Sequence, residues 1–137
     1  MTKKIFLLLF IIFISSIMFV SCKKFDTTAT TIENPATYTS IDPILGQGYK
    51  LQVATTANTI TIGILNTANN TIIGTEPETI DKLYQETGST NNYSFQNGVM
   101  SGNFSILSAD QIKISFVRNT PPYLSVRDVI CTTTTAP

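Results

Sequence analysis

The chain has 137 residues, of which nine are basic, nine are acidic and none is histidine, so its formal net charge at neutral pH is zero. A chain with so little positive charge has no basic stripe for a phosphate backbone, and we expect no nucleic acid partner. Without histidine, Ser-His-Asp triads, Cys-His dyads and histidine-ligated zinc sites are excluded.

The N-terminal segment has the anatomy of a secretory signal. Lys3 and Lys4 precede residues 5–20, an uncharged run in which only two serines are polar. A transmembrane helix needs about 17–25 apolar residues. This run is slightly short and ends at a small residue before a cysteine, as signal peptides do. Residues 19–22, Phe-Val-Ser-Cys, resemble the lipobox of bacterial lipoproteins, with Phe19 where the family more often has leucine.

This resemblance implies a lipid anchor. Residues 1–21 are then the signal peptide, which is cleaved after Ser21, and Cys22 becomes the N-terminal residue and receives acyl chains. Two or more acyl chains hold a protein on a membrane, so the membrane is a partner through Cys22. The chain looks like the envelope lipoproteins of Bacteroidota, which implies the cell envelope, and there the outer membrane, as its location. Two alternatives stay open: an uncleaved anchor helix, and secretion without lipid.

The segment that follows the lipidated cysteine, residues 22–43, is expected to be a flexible tether. It is rich in threonine, contains Pro35 and Pro43, and has no sustained hydrophobic periodicity. It has room for a short strand near Tyr38. We expect the folded domain to begin at residue 44.

Residues 44–131 predict a β domain, because apolar and polar residues alternate in several short segments. The pair Asn97-Gly98 is a strong hairpin signal. Gly102, inside a strand, indicates a bulge or a close approach of backbones. Residues 132–137 are expected to be a frayed tail. The apolar positions of the predicted strands are Tyr49, Leu51, Val53, Ile60, Ile62, Ile64, Tyr93, Phe95, Met100, Phe104, Ile106, Ile112, Ile114, Phe116, Leu124, Val126 and Ile130, with Asp128 on the same predicted face as the last three.

One short helix is predicted at residues 76–87. It opens with Thr-Glu-Pro-Glu, which offers an N-cap, a proline in the first turn and an acid at the capping-box position. Ile80, Leu83 and Tyr84 then follow at the spacing of one helix face. Gly88 is a natural stop.

Together these patterns predict an all-β fold: a small antiparallel barrel or sandwich of about seven strands with one short helix. Residues 102–106 and 111–114 frame a turn and look like the hairpins of lipocalin-like envelope domains. They are also similar to hairpins of META-type heat-shock lipoprotein domains. The resemblance implies a β domain.

Candidate chemistry is sparse. Glu76, Glu78, Asp81 and Glu86 cluster on the predicted helix, where carboxylates complement the helix dipole, so we assign them no catalytic role. Cys131 is expected to be a small buried residue at the end of the last strand. We expect no catalytic residues, no metal site and no cofactor.

Three classes of function remain. The favoured one is a lipid-anchored, non-enzymatic binding or scaffold module of the bacterial cell envelope, with a small ligand or an envelope protein as its partner. The second is a structural or interaction subunit of an envelope complex, and the third is a carboxylate-based glycosidase. A cavity above roughly 300 Å³ favours the first class, a flat apolar patch favours the second, and two buried, facing carboxylates favour the third.

The anchor can be tested at Cys22. We expect Cys22→Ser to abolish acylation and to leave an uncleaved or mislocalised precursor, because the thiol is the acyl acceptor that the lipobox implies. Metabolic labelling with palmitate measures this directly. Equal label in the variant and the parent chain would contradict the assignment.

Overall fold

The computed structural model describes residues 31–134, apart from the side chains of residues 74–76. These residues form a single antiparallel sheet of nine strands and contain no helix. No segment within them could therefore cross a membrane as a helix. The predicted signal peptide, Ser21 and Cys22 lie outside the described residues. The strands are β1 (Thr37–Ser40), β2 (Tyr49–Thr55), β3 (Ile60–Asn66), β4 (Thr71–Ile80), β5 (Leu83–Gln85), β6 (Asn92–Gln96), β7 (Met100–Ser108), β8 (Gln111–Arg118) and β9 (Leu124–Thr133).

The order of the strands makes the sheet curl. It runs β4-β3-β2-β1-β9-β8-β7-β6-β5, and all neighbours are antiparallel. The two edge strands, β4 and β5, are consecutive in the chain and are joined only by Asp81 and Lys82. Because successive Cα atoms lie about 3.8 Å apart, the opposite edges must meet at this connection. The sheet is therefore a half-barrel.

Strands β4 and β5 behave as two halves of one bent strand. Eight antiparallel steps separate them across the sheet, so they run in the same direction. The first half pairs with β3 and the second half pairs with β6. Each half consequently has one side without a strand partner, and the wall of the half-barrel has a notch beside β4.

The core fills the inside of the curl. The predicted alternation is confirmed in β2, β3, β6 and β8, whose inward apolar residues are buried except for Tyr49 and Ile64, which are half-buried. The rings of Tyr93 and Phe104 stack with a centroid separation of 4.9 Å, and Phe95 adds a tilted contact at 6.4 Å. Buried polar side chains are satisfied by backbone: the Ser40 hydroxyl donates to the Asp42 carbonyl at 2.6 Å and accepts from the Leu51 amide at 3.0 Å.

The predicted helix at residues 76–87 is wrong. Ile80 ends β4 opposite Ile60, and Leu83 begins β5 opposite Phe95. Both side chains are buried, because the bend at residues 81–82 turns the chain so that Leu83, like Ile80, faces the inside of the sheet. Two buried residues three positions apart also have the spacing of one helix face. Pro77 is tolerated in β4 because it lies in a bulge, where residues 74–77 oppose only one residue of β3.

The boundaries of the domain also differ from the expectation. The short strand near Tyr38 is present as β1, and it lies at the centre of the sheet instead of in a tether. Thr132 and Thr133, expected in the frayed tail, belong to β9 and pair with Thr39 and Tyr38. The seam between β1 and β9 contains several polar threonines, so no alternation of apolar and polar residues in the sequence indicated this strand pairing.

Strand β9 departs from simple alternation at a bulge. Asp128 has a left-handed backbone with φ of 51°, and its amide donates to the Ser115 hydroxyl at 2.8 Å. The extra residue reverses the faces, so Val129 and Cys131 pack inward in place of Asp128 and Ile130. The expectation that Leu124, Val126, Asp128 and Ile130 share one face is therefore wrong after Val126.

Gly102 marks a close approach of β7 and β8, one of the two readings predicted for it. A Cβ at this position would overlap the Ser115 carbonyl oxygen and would lie 2.6 Å from the Phe116 Cβ. We expect Gly102→Ala to lower the free energy of unfolding by about 1–3 kcal/mol, the usual cost of overpacking. Urea denaturation of the chain from residue 23 onward, followed by circular dichroism, measures the change.

Gly98→Ala is the matched control, because a Cβ at Gly98 meets no atom within 4 Å. Its effect should stay within about 0.5 kcal/mol. Equal stability of the two variants would show that β7 and β8 can separate at no cost.

Candidate functional site

The notch beside β4 opens into an apolar cavity of about 380 Å³. Its floor is formed by Ile62, Met100 and Phe116, which are almost completely buried. Leu45, Ile73 and Tyr123 form its rim, where they are 47%, 37% and 75% exposed, respectively. Exposed apolar side chains of this size are costly in water, and here three of them surround one opening. The remaining lining residues are Gly63, Ile64, Ile72, Pro77, Arg118, Pro122 and Leu124.

Two loops bring distant parts of the chain to the rim. Leu45 lies in the β1–β2 loop, where the Ile44 amide donates to the Tyr49 carbonyl at 3.0 Å. Gly46 and Gly48 have φ values of 91° and 90°, which glycine adopts at no steric cost. The turn formed by Gly46, Gln47 and Gly48 thus holds Leu45 at the rim. The β8–β9 loop supplies Tyr123 from the other side.

A side-chain hydrogen bond bridges the notch. The Asn97 amide nitrogen, in the β6–β7 turn, donates to Glu78 Oε1 of β4 at 2.8 Å. The Asn97 carbonyl oxygen is fixed in turn, because it accepts from the amides of Val99 and Met100 at 2.9 and 2.7 Å. Asn97 therefore completes the predicted hairpin and also links the β6–β7 turn to β4, a strand with which neither β6 nor β7 pairs.

Arg118 is the one charged side chain among the described residues that line the cavity. It ends β8 in the inward register that follows Ile114 and Phe116. Its Nε atom is buried, and it is the one buried side-chain nitrogen or oxygen without a hydrogen-bond partner in the described part of the chain. A buried donor without a partner costs about 1–3 kcal/mol, and more when the group is charged. The cavity is thus lined by a cationic side chain whose buried Nε has no hydrogen-bond partner.

Two other depressions are less suited to a ligand. One, of about 440 Å³, lies at the opposite end of the half-barrel and is mostly polar. Burial raises the pKa of Tyr93 there, and the negative charge of Glu33 adds to the shift, so the phenol is neutral at pH 7. Its hydroxyl already donates to the Thr90 carbonyl at 3.0 Å. The other, of about 490 Å³, is a shallow surface beside β1.

Glu78, Asp81 and Glu86, the three clustered acids whose side chains are described, do not converge on a site. Glu78 is bonded to Asn97, and Glu86 Oε2 accepts from the Asn92 amide at 3.3 Å. Asp81 lies in the β4–β5 connection, and the side chain of Glu76 is outside the described residues. Within residues 31–134, no group of three or more Cys, Asp or Glu side chains is arranged to hold a metal ion.

Cys131 lies near the end of β9, as predicted, and is fully buried and not disulfide-bonded. Burial raises the pKa of its thiol to about 12. The thiol is therefore protonated at neutral pH, and a protonated thiol is a poor nucleophile.

Neither the cavity nor the role of Arg118 was predicted from the sequence. One signal for Arg118 was present, because it continues the alternation of Ile112, Ile114 and Phe116 with a charge at an inward position. The cavity itself had no local signal, since its walls come from five strands and two loops.

Comparisons with protein-family models, curated proteins and solved structures found no match. The cavity is therefore the basis for assigning a function.

The unsatisfied guanidinium leads to a prediction about stability. We expect Arg118→Met to raise the free energy of unfolding by about 1 kcal/mol, because an apolar side chain of similar length removes the buried donor without opening a void. Urea denaturation of the chain from residue 23 onward measures the change. Arg127→Met, at an exposed position of β9, removes the same charge and should shift stability by less than about 0.5 kcal/mol. A less stable Arg118→Met protein would mean that the guanidinium contributes favourable contacts.

Proposed function

We propose that the protein is a lipid-anchored, non-enzymatic binding module of the bacterial cell envelope, and that its half-barrel holds a small apolar ligand. The observation that supports binding is the apolar cavity of about 380 Å³ in the notch beside β4. Ligand sites usually have volumes of about 300–1,000 Å³ and apolar walls with a few polar groups. This cavity has both properties.

The rim explains why occupancy is favourable. Leu45, Ile73 and Tyr123 expose apolar surface around the opening. Transfer of apolar surface out of water contributes roughly 25 cal/mol per Å², so a ligand that spans floor and rim gains from both. The floor residues already pack against the core and need no rearrangement.

The anchor sets where binding takes place. Cys22 is the proposed acylation site. The described part of the chain begins nine positions later, at residue 31, and its first strand, β1, begins at Thr37. Nine residues beyond Cys22 span at most about 30 Å when fully extended. The half-barrel is then held close to the membrane surface, in the envelope.

A second class, an interaction subunit of an envelope complex, is supported by the same exposed rim. A partner protein would cover Leu45, Ile73 and Tyr123 without filling the space behind them. Occupation of the floor distinguishes the two functions.

The test places a larger side chain in the opening of the cavity. We expect Ile73→Trp to weaken the binding of Nile red, a neutral apolar dye, by about tenfold, since tenfold corresponds to about 1.4 kcal/mol and the indole occupies part of the opening. Dye fluorescence, titrated against the chain from residue 23 onward, gives the dissociation constants.

Leu107→Trp is the matched control, because Leu107 is exposed to a similar degree, 48%, and does not line the cavity. It should bind the dye like the parent chain. Absence of dye binding to the parent chain would reject the ligand-binding function, and equal binding by both variants would place the dye elsewhere.

A further inference from the structure

We infer that the ligand of the cavity is a monocarboxylate with a hydrocarbon body, a fatty acid of medium chain length, and that the Arg118 guanidinium binds its carboxylate. This inference rests on the proposed function and names the class of ligand. It combines the position of the charged Arg118 side chain in the lining of the cavity with the apolar walls around it.

The charge of the cavity selects an anion. Arg118 is the one charged group among the described lining residues, and arginine stays protonated at any physiological pH. A guanidinium offers donors in a planar fork that fits a carboxylate, and such charge-assisted bonds are about twice as strong as neutral ones. A cationic ligand would be repelled, and a neutral apolar one would leave the guanidinium without a counter-charge.

Glu78, which lies on the strand beside the notch, does not fill this role. Its Oε1 accepts from Asn97, and no ion pair joins it to Arg118. The carboxylate that would complete Arg118 is therefore expected from outside the described chain.

The volume of the cavity limits the size of the ligand. A water-sized group takes roughly 30 Å³ in the liquid, so about 380 Å³ accommodates about a dozen non-hydrogen atoms. A decanoate ion has this size, whereas a whole phospholipid is several times larger. Arg118 lies between the buried Phe116 and the exposed Tyr123 in the chain. The carboxylate is thus placed near the rim and the hydrocarbon toward the floor.

The experiment compares an acid with its alcohol on the full lipidated chain in isolated membrane vesicles. The probes are decanoic acid that carries a diazirine and a terminal alkyne, and decanol with the same two groups. After irradiation, label on the chain is quantified through the alkyne and mapped by peptide mass. We expect the acid to label the peptides of β4, β7 and β8 about tenfold more than the alcohol, the ratio typical of one charge-assisted hydrogen bond.

Variants assign this preference to Arg118. In Arg118→Met, labelling by the acid probe should fall to the level of labelling by the alcohol probe. In Arg118→Lys, which keeps the positive charge, the acid probe should again label more than the alcohol, though by less than in the parent chain. Arg127→Met loses the same charge at an exposed position and should behave as the parent chain. Resistance to trypsin reports whether each variant is folded, and the comparison of acid with alcohol in the parent chain needs no variant.

The outcomes separate this inference from the proposed function. If neither probe labels the cavity peptides, the ligand-binding function itself fails. If acid and alcohol label the parent chain equally, binding stands and carboxylate recognition is overturned. Retention of the acid preference in folded Arg118→Met would also overturn it, because another group would then bind the anion.

Discussion

The connection of two residues between Ile80 and Leu83 is the constraint on which the rest of the structure depends. It joins the two edges of a nine-stranded sheet, so the sheet cannot remain open. The bend divides one strand into halves that pair on opposite sides, and β4 is left with an unpaired flank. The notch, and the cavity behind it, follow from this geometry. The Asn97–Glu78 hydrogen bond spans the notch without filling it.

The cavity differs in chemistry from the core that surrounds it. Elsewhere in the described chain the buried polar groups have partners; the Thr55 hydroxyl, for example, exchanges hydrogen bonds with the backbone of Ala36. Arg118 is the exception, and it lies where apolar side chains are also exposed to solvent. Local features that cost stability commonly coincide with sites of function, because binding recovers the cost. The coincidence of an unsatisfied cation and an apolar opening is why we place the site here.

Sequence reasoning was reliable where one strand buries one face. The alternation around Leu51, Ile62 and Ile114 predicted β2, β3 and β8, because period two is the direct consequence of pleating. It failed where tertiary structure overrides local pattern. The spacing of Ile80 and Leu83 resembles that of a helix only because the chain bends between them. In β1, a buried position is occupied by Ser40, a polar residue whose hydroxyl accepts a hydrogen bond from the Leu51 amide, so the alternation of apolar and polar residues is broken there. The cavity could not be predicted, since its residues meet only in the folded sheet.

The pairing of β1 with β9 has a consequence for how the molecule assembles. All other strand pairs are formed by neighbours in the sequence, whereas this seam brings together residues such as Thr39 and Thr134, which are 95 positions apart. Closing so long a loop has the largest entropic cost of any contact in the sheet, and long-range contacts slow folding. We therefore expect the hairpins to form early and the seam between β1 and β9 to close last. Until then, the flanks of β1 and β9 are open templates for pairing with another chain, which makes this interval the one in which the protein is most prone to aggregate.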